Sequence, residues 1–285
     1  CAQNCAGALP SVLANLEGLR SRFQQSHVLV VENDSTDATQ DVLRDHWNKH
    51  HHCTAMAFPG LNARIPAKTV RLAHLRNAAM AWLRQQGAFL QRGLVLVLDM
   101  DEVNRAPWDP KAFADVLTWF DGKPRAAAVF ANQRAPYYDL WALRHPKLCP
   151  DDLWEAVHQR KLEQGHLSDA DLVGEVVASR QFVLNPKAKP VPVESAFGGL
   201  GFYKTQWLAE APFCYCGETT RLILSDQQPP QLLRWQVAEH VAFHAGLRAL
   251  GAKLWIHPHL LNGASLTASA EPIAWNPQSW RHLGF

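Results

Sequence analysis

Two aspartates, Asp99 and Asp101, directly follow a short apolar run, Gly93 to Leu98. Such a run predicts a buried strand, and two carboxylates at its end are costly to desolvate unless they are paired or bound to a cation. Carboxylate oxygens suit Mg²⁺ or Mn²⁺, which keep water ligands and bridge to phosphate oxygens. The segment Asp99-Met100-Asp101 therefore predicts a metal–diphosphate site, although an acidic turn after any strand can supply the same spacing.

A second acidic segment, Glu32 to Asp37, follows the β-branched run His27 to Glu32. Two interpretations stay open for it. Its side chains can cap the helix predicted to come next. Alternatively, the carboxylates of Glu32 and Asp34 can accept hydrogen bonds from the base and the ribose hydroxyls of a nucleoside.

Basic residues cluster on a predicted long helix, Lys68 to Gln86. This face is either solvated or an anion site for phosphates. Arg71 and Arg76 are five positions apart, so we expect only one of them to point inward. Arg76 could then reach a nucleotide or the Asp99 loop, and arginine matches phosphate geometry through paired hydrogen bonds.

A later aromatic segment runs from Tyr138 to Arg144. Its aromatic rings could form a platform for a sugar or pack in the core. Asp139 could bind sugar hydroxyls, and Arg144 could contact phosphate.

The periodicity of apolar residues predicts an α/β fold in which strands alternate with helices through the first half of the chain. This alternation predicts a largely parallel sheet, with ligands beyond the carboxyl ends of its strands. The predicted strands are His27 to Glu32, Gly93 to Leu98, Ala126 to Phe130 and Lys253 to His257. The predicted helices are Pro10 to Phe23, Ala38 to Asn48, Lys68 to Gln86, Pro110 to Phe120, Asp151 to Gln164 and Val237 to Leu250. Asn185 to Pro192 is predicted to be a loop, and Ser195 to Tyr203 a glycine-rich turn.

Composition narrows the class of protein. The chain has 285 residues, 47% of them apolar, and a net charge of +2, which is too small to indicate nucleic acid as a partner. Its six cysteines show no zinc-binding spacing, so we expect reduced thiols and a cytoplasmic protein. Because the chain opens at Cys1 without an initiator Met, we expect it to be a domain of a longer protein, with a first strand or a membrane anchor upstream.

Several motifs resemble one enzyme family when they are taken in order. They are CAQNCA, VVENDSTDAT, RN, VLVLDMDEVN, YYDLWALR, SAFGGLGFY and AEHVAFH. Together they resemble glycosyltransferases of the GT-A fold, and among them the Cap59-like mannosyltransferase group and its bacterial relatives that act on surface polysaccharides. The resemblance runs from Cys1 to about Leu261. It implies a single GT-A (Rossmann-like) domain over 1–285, with a mainly parallel sheet flanked by helices, a nucleotide-sugar-binding half at 1–132 and an acceptor-binding half at 133–285.

The resemblance also implies roles on the donor side of the site. The acidic turn would hold the nucleoside through Glu32, Asp34 and Ser35. Asp99 and Asp101 would bind Mn²⁺ or Mg²⁺ and the donor diphosphate. One departure is Gln3, where the group often has arginine.

On the acceptor side, the resemblance places Gly198 and Gly199 where small residues let a sugar approach the backbone. Glu239, at a helix start, would contact the acceptor and act as general base in an inverting enzyme. A histidine would complete the metal shell, and His257 is our first choice over His244 and His259.

We therefore expect transfer of a sugar, with mannose favoured, from a nucleoside diphosphate sugar to a carbohydrate hydroxyl in surface polysaccharide synthesis. The resemblance slightly favours a retaining course. Two alternatives stay open: a metal-dependent sugar nucleotidyltransferase, and a non-catalytic sugar-nucleotide or glycan-binding domain of a larger synthase. The expected partners are the nucleotide sugar, the acceptor and other synthase domains. We expect peripheral association with the inner face of a membrane, or a location in the Golgi lumen if the source is eukaryotic.

Overall fold

The structure is a computed structural model that describes residues 1–88, 92–134, 136–164, 166–209, 213–225 and 228–263. The last part of the predicted domain, 264–285, lies outside the described residues. None of the described helices is both long enough and apolar enough to span a bilayer.

The helices form where apolar residues recur at helical spacing or where an aspartate or serine caps the first turn. In the first helix, for example, Leu9, Val12, Leu13 and Leu16 are all buried on one face. The helices are α1 Leu9–Arg20, α2 Thr39–Trp47, α3 Leu61–Arg64, α4 Lys68–Gln85, α5 Pro110–Asp121, α6 Leu153–Glu163, α7 Asp169–Arg180, α8 Thr205–Ala209 and α9 Glu239–Ala249. The six predicted helices are confirmed, with ends that differ by a few residues.

The strands include several that periodicity does not predict. They are β1 Val28–Glu32, β2 Cys53–Ala57, β3 Leu94–Leu98, β4 Ala126–Asn132, β5 Val191–Val193, β6 Leu200–Lys204, β7 Glu218–Ser225, β8 Gln228–Gln236 and β9 Lys253–Leu261. β1 and β2 pair in parallel, and β7 and β8 form an antiparallel ribbon. The other five strands form a sheet with the order β3-β6-β4-β9-β5.

The prediction of a mainly parallel sheet is wrong, because the five-stranded sheet is mixed. Only β4 and β9 run parallel, whereas β6 is antiparallel to both β3 and β4, and β5 is antiparallel to β9. The cause lies in the segment predicted as a glycine-rich turn, Ser195 to Tyr203, because the fully buried strand Leu200–Lys204 begins within it. The edge strand Val191–Val193 begins within the predicted loop, Asn185 to Pro192, and pairs with β9.

Because the sheet is mixed, several loops meet at one end of its strands, which is called the loop edge below. The antiparallel β6 starts where β3 ends, because Leu200 is paired with Leu98. The end of β4 lies at the same edge, since Asn132 is paired with Leu261 at the end of β9. The segments 99–104, 197–199 and 262–263 therefore follow or precede strands that meet at this edge.

The central strand β4 is buried along its whole length, because both faces of the sheet are covered. On one face, Val129 and Ala131 belong to a cluster that includes buried residues of α1 and α5. On the other face, Phe130 packs in a cluster with Phe243 and Leu247 of α9. The sheet is thus held between helices, which is the layered arrangement expected of an α/β protein.

Candidate active site

The centre of the candidate site is the guanidinium of Arg76 on α4. Its Nε donates to Glu239 Oε1 at 2.9 Å, and its Nη2 donates to Asp99 Oδ1 at 3.2 Å. The Arg76 side chain is only 5% exposed. Three residues that sequence reasoning placed in one site from separate segments are therefore joined by two ion pairs.

Aromatic rings enclose this arginine. Phe197 lies 4.9 Å from the guanidinium carbon and Tyr215 lies 5.9 Å from it, measured to the ring centroids. Burial by itself would lower the pKa of Arg76, but the charges of Glu239 and Asp99 outweigh burial and raise it. Arg76 is therefore a permanent buried cation beside Asp99.

The position of α4 is fixed by hydrogen bonds to the segment that carries Tyr215. Asn77 Nδ2 donates to the Tyr215 carbonyl at 2.9 Å, and the Tyr215 amide donates back to Asn77 Oδ1 at 2.9 Å. About two turns earlier, Thr69 Oγ1 donates to the Gly217 carbonyl at 2.6 Å. These contacts hold Arg76 and one of the rings over it in a single unit.

Buried amides support the loop that carries Asp99. The Asp99 amide donates to the Gly199 carbonyl at 2.9 Å, and Asn104 Nδ2 donates to the Asp99 and Gly199 carbonyls at 2.8 Å each. Asn262 Nδ2 donates to Asn104 Oδ1 at 2.9 Å and to the Gly198 carbonyl at 2.8 Å. These hydrogen bonds hold the end of β3, the start of β6 and the end of β9 together beside the two aspartates.

The two adjacent glycines have backbone conformations that other residues rarely adopt. Gly198 has φ +65° and Gly199 has φ +77°. A Cβ added at Gly199 would lie 2.5 Å from Val103 Cγ1 and 3.1 Å from the Tyr138 hydroxyl. The glycines are therefore required for the close approach of this segment to the Asp99 loop; that they also admit a sugar stays a prediction.

We expect Gly199→Ala to destabilise the fold by roughly 1–3 kcal/mol, because overpacking a tight site costs about that much and the φ is unfavourable. Sugar transfer should fall with it, since the loop carrying Asp99 must shift. Urea unfolding measures the first effect, and steady-state transfer assays measure the second.

Gly174→Ala in α7 is the matched control. Nothing lies within 4 Å of a Cβ added there, so this change should leave activity intact and gain up to about 1 kcal/mol from helix propensity. If the two variants were equally stable, the tight contact at Gly199 would be unimportant.

Asp101 lies on the solvent side of this loop. Its Oδ1 accepts from the Val103 amide at 3.2 Å and so caps the short 3-10 turn Glu102–Asn104. Desolvation by the surrounding protein, and then the charge of Asp99, raise the pKa of Asp101. A divalent cation bound between the two carboxylates would relieve their electrostatic repulsion.

Asp99 and Asp101 suit an open site for Mg²⁺ or Mn²⁺ better than a site in which the protein supplies every metal ligand. Asp99 and Asp101 offer only oxygen ligands, and no third acidic, histidine or cysteine ligand joins them within the described residues. Mg²⁺ is usually held by one or two carboxylates together with water and substrate phosphates. An ion bound by these two aspartates would therefore keep coordination positions free for the oxygens of a diphosphate.

Asp139 provides a further acid near the glycine segment. Its Oδ2 accepts from the Gly198 amide at 2.9 Å, and its Oδ1 accepts from the Ala142 amide at 3.3 Å. Burial raises the pKa of Asp139 to about 6, with Asp99 and Glu239 adding to the rise and the two amides opposing it. This carboxyl group therefore changes charge close to neutral pH.

This raised pKa gives an expected pH profile. If ionised Asp139 binds donor hydroxyls, transfer should fall as the pH drops through about 6, because protonation removes the charged acceptor. A bound cation beside Asp99 favours ionisation, so higher Mn²⁺ should move this acidic limb to lower pH. Profiles of kcat/KM at two Mn²⁺ concentrations test both points.

The control for this profile is Asp139→Asn, which removes the titrating group. Its residual activity should be low and should lack the acidic limb. A limb that kept its midpoint in Asp139→Asn would belong to another group.

Glu239 is the first residue of α9 and is buried with a relative exposure of 5%. The sequence predicted an acid at a helix start, and the structure confirms that position. Beside it, His240 is buried, and its Nε2 lies 3.6 Å from Glu239 Oε1. Among the described residues, neither ring nitrogen has a hydrogen-bond partner. Its ring stacks on Phe197 at 4.0 Å between centroids, so it packs behind the arginine rather than binding it.

The acidic turn after β1 is occupied by contacts within the protein. The Asp34 carboxylate accepts from the amides of Gly60 and Asn62, and the Glu32 carboxylate accepts from the Ser35 amide at 2.8 Å and from Gln40 at 3.0 Å. The hydroxyl of Ser35 accepts from the Asn4 amide at 3.1 Å. These contacts are structural, but they do not confirm the predicted capping of the next helix, because α2 has no side-chain cap at its N-cap residue Ala38. Nucleoside recognition by Glu32, Asp34 and Ser35 stays a prediction.

Arg144 has contacts away from the Asp99 loop. It forms an ion pair with Asp152, the residue that caps α6, and donates to the carbonyls of Trp141 and Leu143 at 2.8 and 2.7 Å. No contact within the described residues joins it to Asp99. Of the two arginines proposed to supply positive charge, only Arg76 lies against the acidic site.

The three histidines proposed as metal ligands are held elsewhere. His257 lies against the Trp119 ring at 4.9 Å between centroids, and its Nδ1 accepts from the His259 amide at 3.3 Å. Burial, and then His259, lower the pKa of His257 to about 4. His244 is bonded through its ring nitrogens to the hydroxyls of Ser195 at 2.9 Å and Tyr203 at 2.8 Å. None of them contacts Asp99 or Asp101 within the described part of the chain.

Sequence reasoning missed the residues that support the site without charge. Asn104 and Asn262 are almost completely buried, at 0% and 1% exposure. Asn104 sits within the VLVLDMDEVN motif, and a buried amide directly after two acids is a usable signal. Asn262 and Phe197 carry no such signal, because their positions depend on the strand order.

Comparisons with known proteins identify no family. No family model matches the chain, and no curated protein matches it. The chain is similar to the solved structure of mannosyltransferase PcManGT from Pyrobaculum calidifontis in complex with GDP-Man and Mn2+, with a TM-score of 0.48 and 14% sequence identity. This similarity covers 94% of the chain and 56% of that protein.

Proposed function

We propose that this protein is a metal-dependent glycosyltransferase of the GT-A type that moves a sugar from a nucleoside diphosphate sugar to a carbohydrate hydroxyl. The observation that carries the proposal is the pair of ion pairs from Arg76 to Asp99 and Glu239. They bring together a carboxylate suited to a metal, a buried cation and an acid at a helix start. The order of motifs along the sequence supports the same class.

The chain's own residues divide the work by position. Asp99 and Asp101 would hold Mn²⁺ or Mg²⁺, which when bound stabilises the negative charge of a departing diphosphate. Arg76 is held beside Asp99 as a buried cation, where it adds a second positive charge. Asp139, which accepts from the Gly198 amide, would also accept hydrogen bonds from hydroxyls of the transferred sugar.

Glu239 has two possible roles that depend on the stereochemistry. In an inverting reaction it would remove the proton of the acceptor hydroxyl, and in a retaining reaction it would orient the acceptor. Its Oε1 already accepts from Arg76 Nε at 2.9 Å, which fixes the orientation of the carboxylate. We favour the orienting role, because Glu239 Oε1 is already engaged by Arg76, and we favour retaining transfer of mannose on the resemblance of the sequence motifs.

The proposal is tested by incubating the protein with a panel of nucleotide sugars, a mixture of carbohydrate acceptors and Mn²⁺. Release of a nucleoside diphosphate together with a glycosylated acceptor is the expected result. Release of pyrophosphate would instead show a nucleotidyltransferase, and binding without any release would show a non-catalytic domain. Thermal shift with GDP and with UDP then separates the donor classes, because a ligand that binds the folded state raises its stability.

A further inference from the structure

A second cluster of metal-ligating side chains lies where α1 packs against α2. His46 Nε2 is 3.0 Å from Glu17 Oε1, and His50 Nδ1 is 3.4 Å from Glu17 Oε2. One ligand atom from each of these three residues lies within 4.8 Å of the others. We propose that Glu17, His46 and His50 bind a divalent transition-metal ion, with Zn²⁺ as the preferred ion.

The backbone holds the two histidines at a suitable spacing. His46 is in the last turn of α2, and His50 follows it by four positions, with its amide donating to the His46 carbonyl at 3.0 Å. Side chains four apart on a helical turn lie on the same face. The two rings stack with centroids 4.1 Å apart, and each has one nitrogen within 3.4 Å of a Glu17 carboxylate oxygen.

An outer contact fixes the carboxylate. Arg20 Nη1 donates to Glu17 Oε1 at 2.6 Å, and Arg20 is itself held by Ser26 Oγ at 3.0 Å and the His51 carbonyl at 2.8 Å. Ligating carboxylates are commonly hydrogen-bonded in this way from a second layer. Because Arg20 occupies Oε1, the other oxygen, Oε2, faces His50 and is the one offered to an ion.

The donor set separates this cluster from the candidate active site. Two imidazoles and one carboxylate suit Zn²⁺ and its neighbours in the first transition row, whereas Mg²⁺ prefers oxygen ligands alone. The pair Asp99 and Asp101 offers only oxygen. With three protein ligands, the Glu17–His46–His50 cluster leaves a fourth position for water, and the ion would tie α1 to the end of α2.

The test is Zn²⁺ binding to the full chain in the presence of excess Mg²⁺, which occupies the oxygen site. Calorimetry should give one Zn²⁺ per chain, and Zn²⁺ should raise the melting temperature. His50→Ala is the test variant because its side chain is 38% exposed and its loss should not disturb folding. Removing a contact in the second layer costs about 10–100-fold in metal affinity, so loss of a direct ligand should weaken Zn²⁺ binding at least tenfold.

His51→Ala is the matched control, because it removes a neighbouring exposed imidazole that is not part of the cluster. It should bind Zn²⁺ as the unaltered chain does. Equal weakening in both variants, no weakening in either, or no Zn²⁺ binding by the unaltered chain would overturn the proposal. Loss of the Zn²⁺ site in Asp101→Asn alone would also overturn it, because the ion would then belong to the candidate active site.

Discussion

Asp101→Asn is expected to lower kcat/KM for sugar transfer by at least about a hundredfold. Each factor of ten corresponds to 1.36 kcal/mol, and a metal ion contributes several kcal/mol to the stabilisation of a developing charge. Folding should be unaffected or slightly improved, because the pKa of Asp101 is raised and its charge is therefore unfavourable in the folded protein. Mn²⁺ titration followed by calorimetry should show the matching loss of metal affinity.

The chain offers a neighbouring acid as the control. Glu102 is one position further on and forms an exposed ion pair with Arg105 at 3.1 Å. Glu102→Gln should keep both Mn²⁺ binding and transfer, because exposed pairs contribute little. Intact transfer in Asp101→Asn, or an equal loss in Glu102→Gln, would disprove the assignment of the metal site.

Arg76→Met is expected to destabilise the protein by about 3–5 kcal/mol, the usual cost of breaking a buried ion pair by removing one partner. The change leaves Glu239, 7% exposed, and Asp99 without their cation. The free energy of unfolding in urea measures the loss. Transfer should fall as well, because the cation next to the metal site is gone.

Combining Arg76→Met with Glu239→Gln should recover part of this stability, since one of the two unpaired charges is removed. The double-mutant cycle isolates that coupling. Arg92→Met is the control, because Arg92 pairs with Asp121 at the surface, with side chains 80% and 69% exposed, and its loss should cost less than about 1 kcal/mol. Additive effects of Arg76→Met and Glu239→Gln would contradict a buried pair.

The sequence predicted the charged part of the site better than its frame. Asp99 and Asp101 were predicted because charges at the end of an apolar strand are costly, and Arg76 because arginine matches phosphate geometry. Glu239 was predicted from the family resemblance. The structure confirms that three of them, Arg76, Asp99 and Glu239, meet. Metal binding by the two aspartates stays a prediction.

The strands that support these charged residues were predicted less well, because their order depends on pairing between segments far apart in the sequence. The alternation of side chains in Leu200–Lys204 does not indicate which strands it will lie between. The glycines in and just before this segment are typical of a turn. The same limit applies to His257, which the family resemblance suggested as a metal ligand and which lies against the Trp119 ring. Pairing partners far apart in sequence are decided by the whole fold, which local patterns do not describe.

The position of β6 between β3 and β4 has a consequence for synthesis on the ribosome. The Asp99 loop is anchored to Gly199, one hundred positions later in the chain, and Asn262 closes the same network. Contacts between residues so distant in sequence form slowly, because a long stretch of chain must be ordered first. In the nascent chain the two aspartates therefore lack the contacts of Gly199 and Asn262 until β9 has left the exit tunnel, and the proposed site can form only after that point.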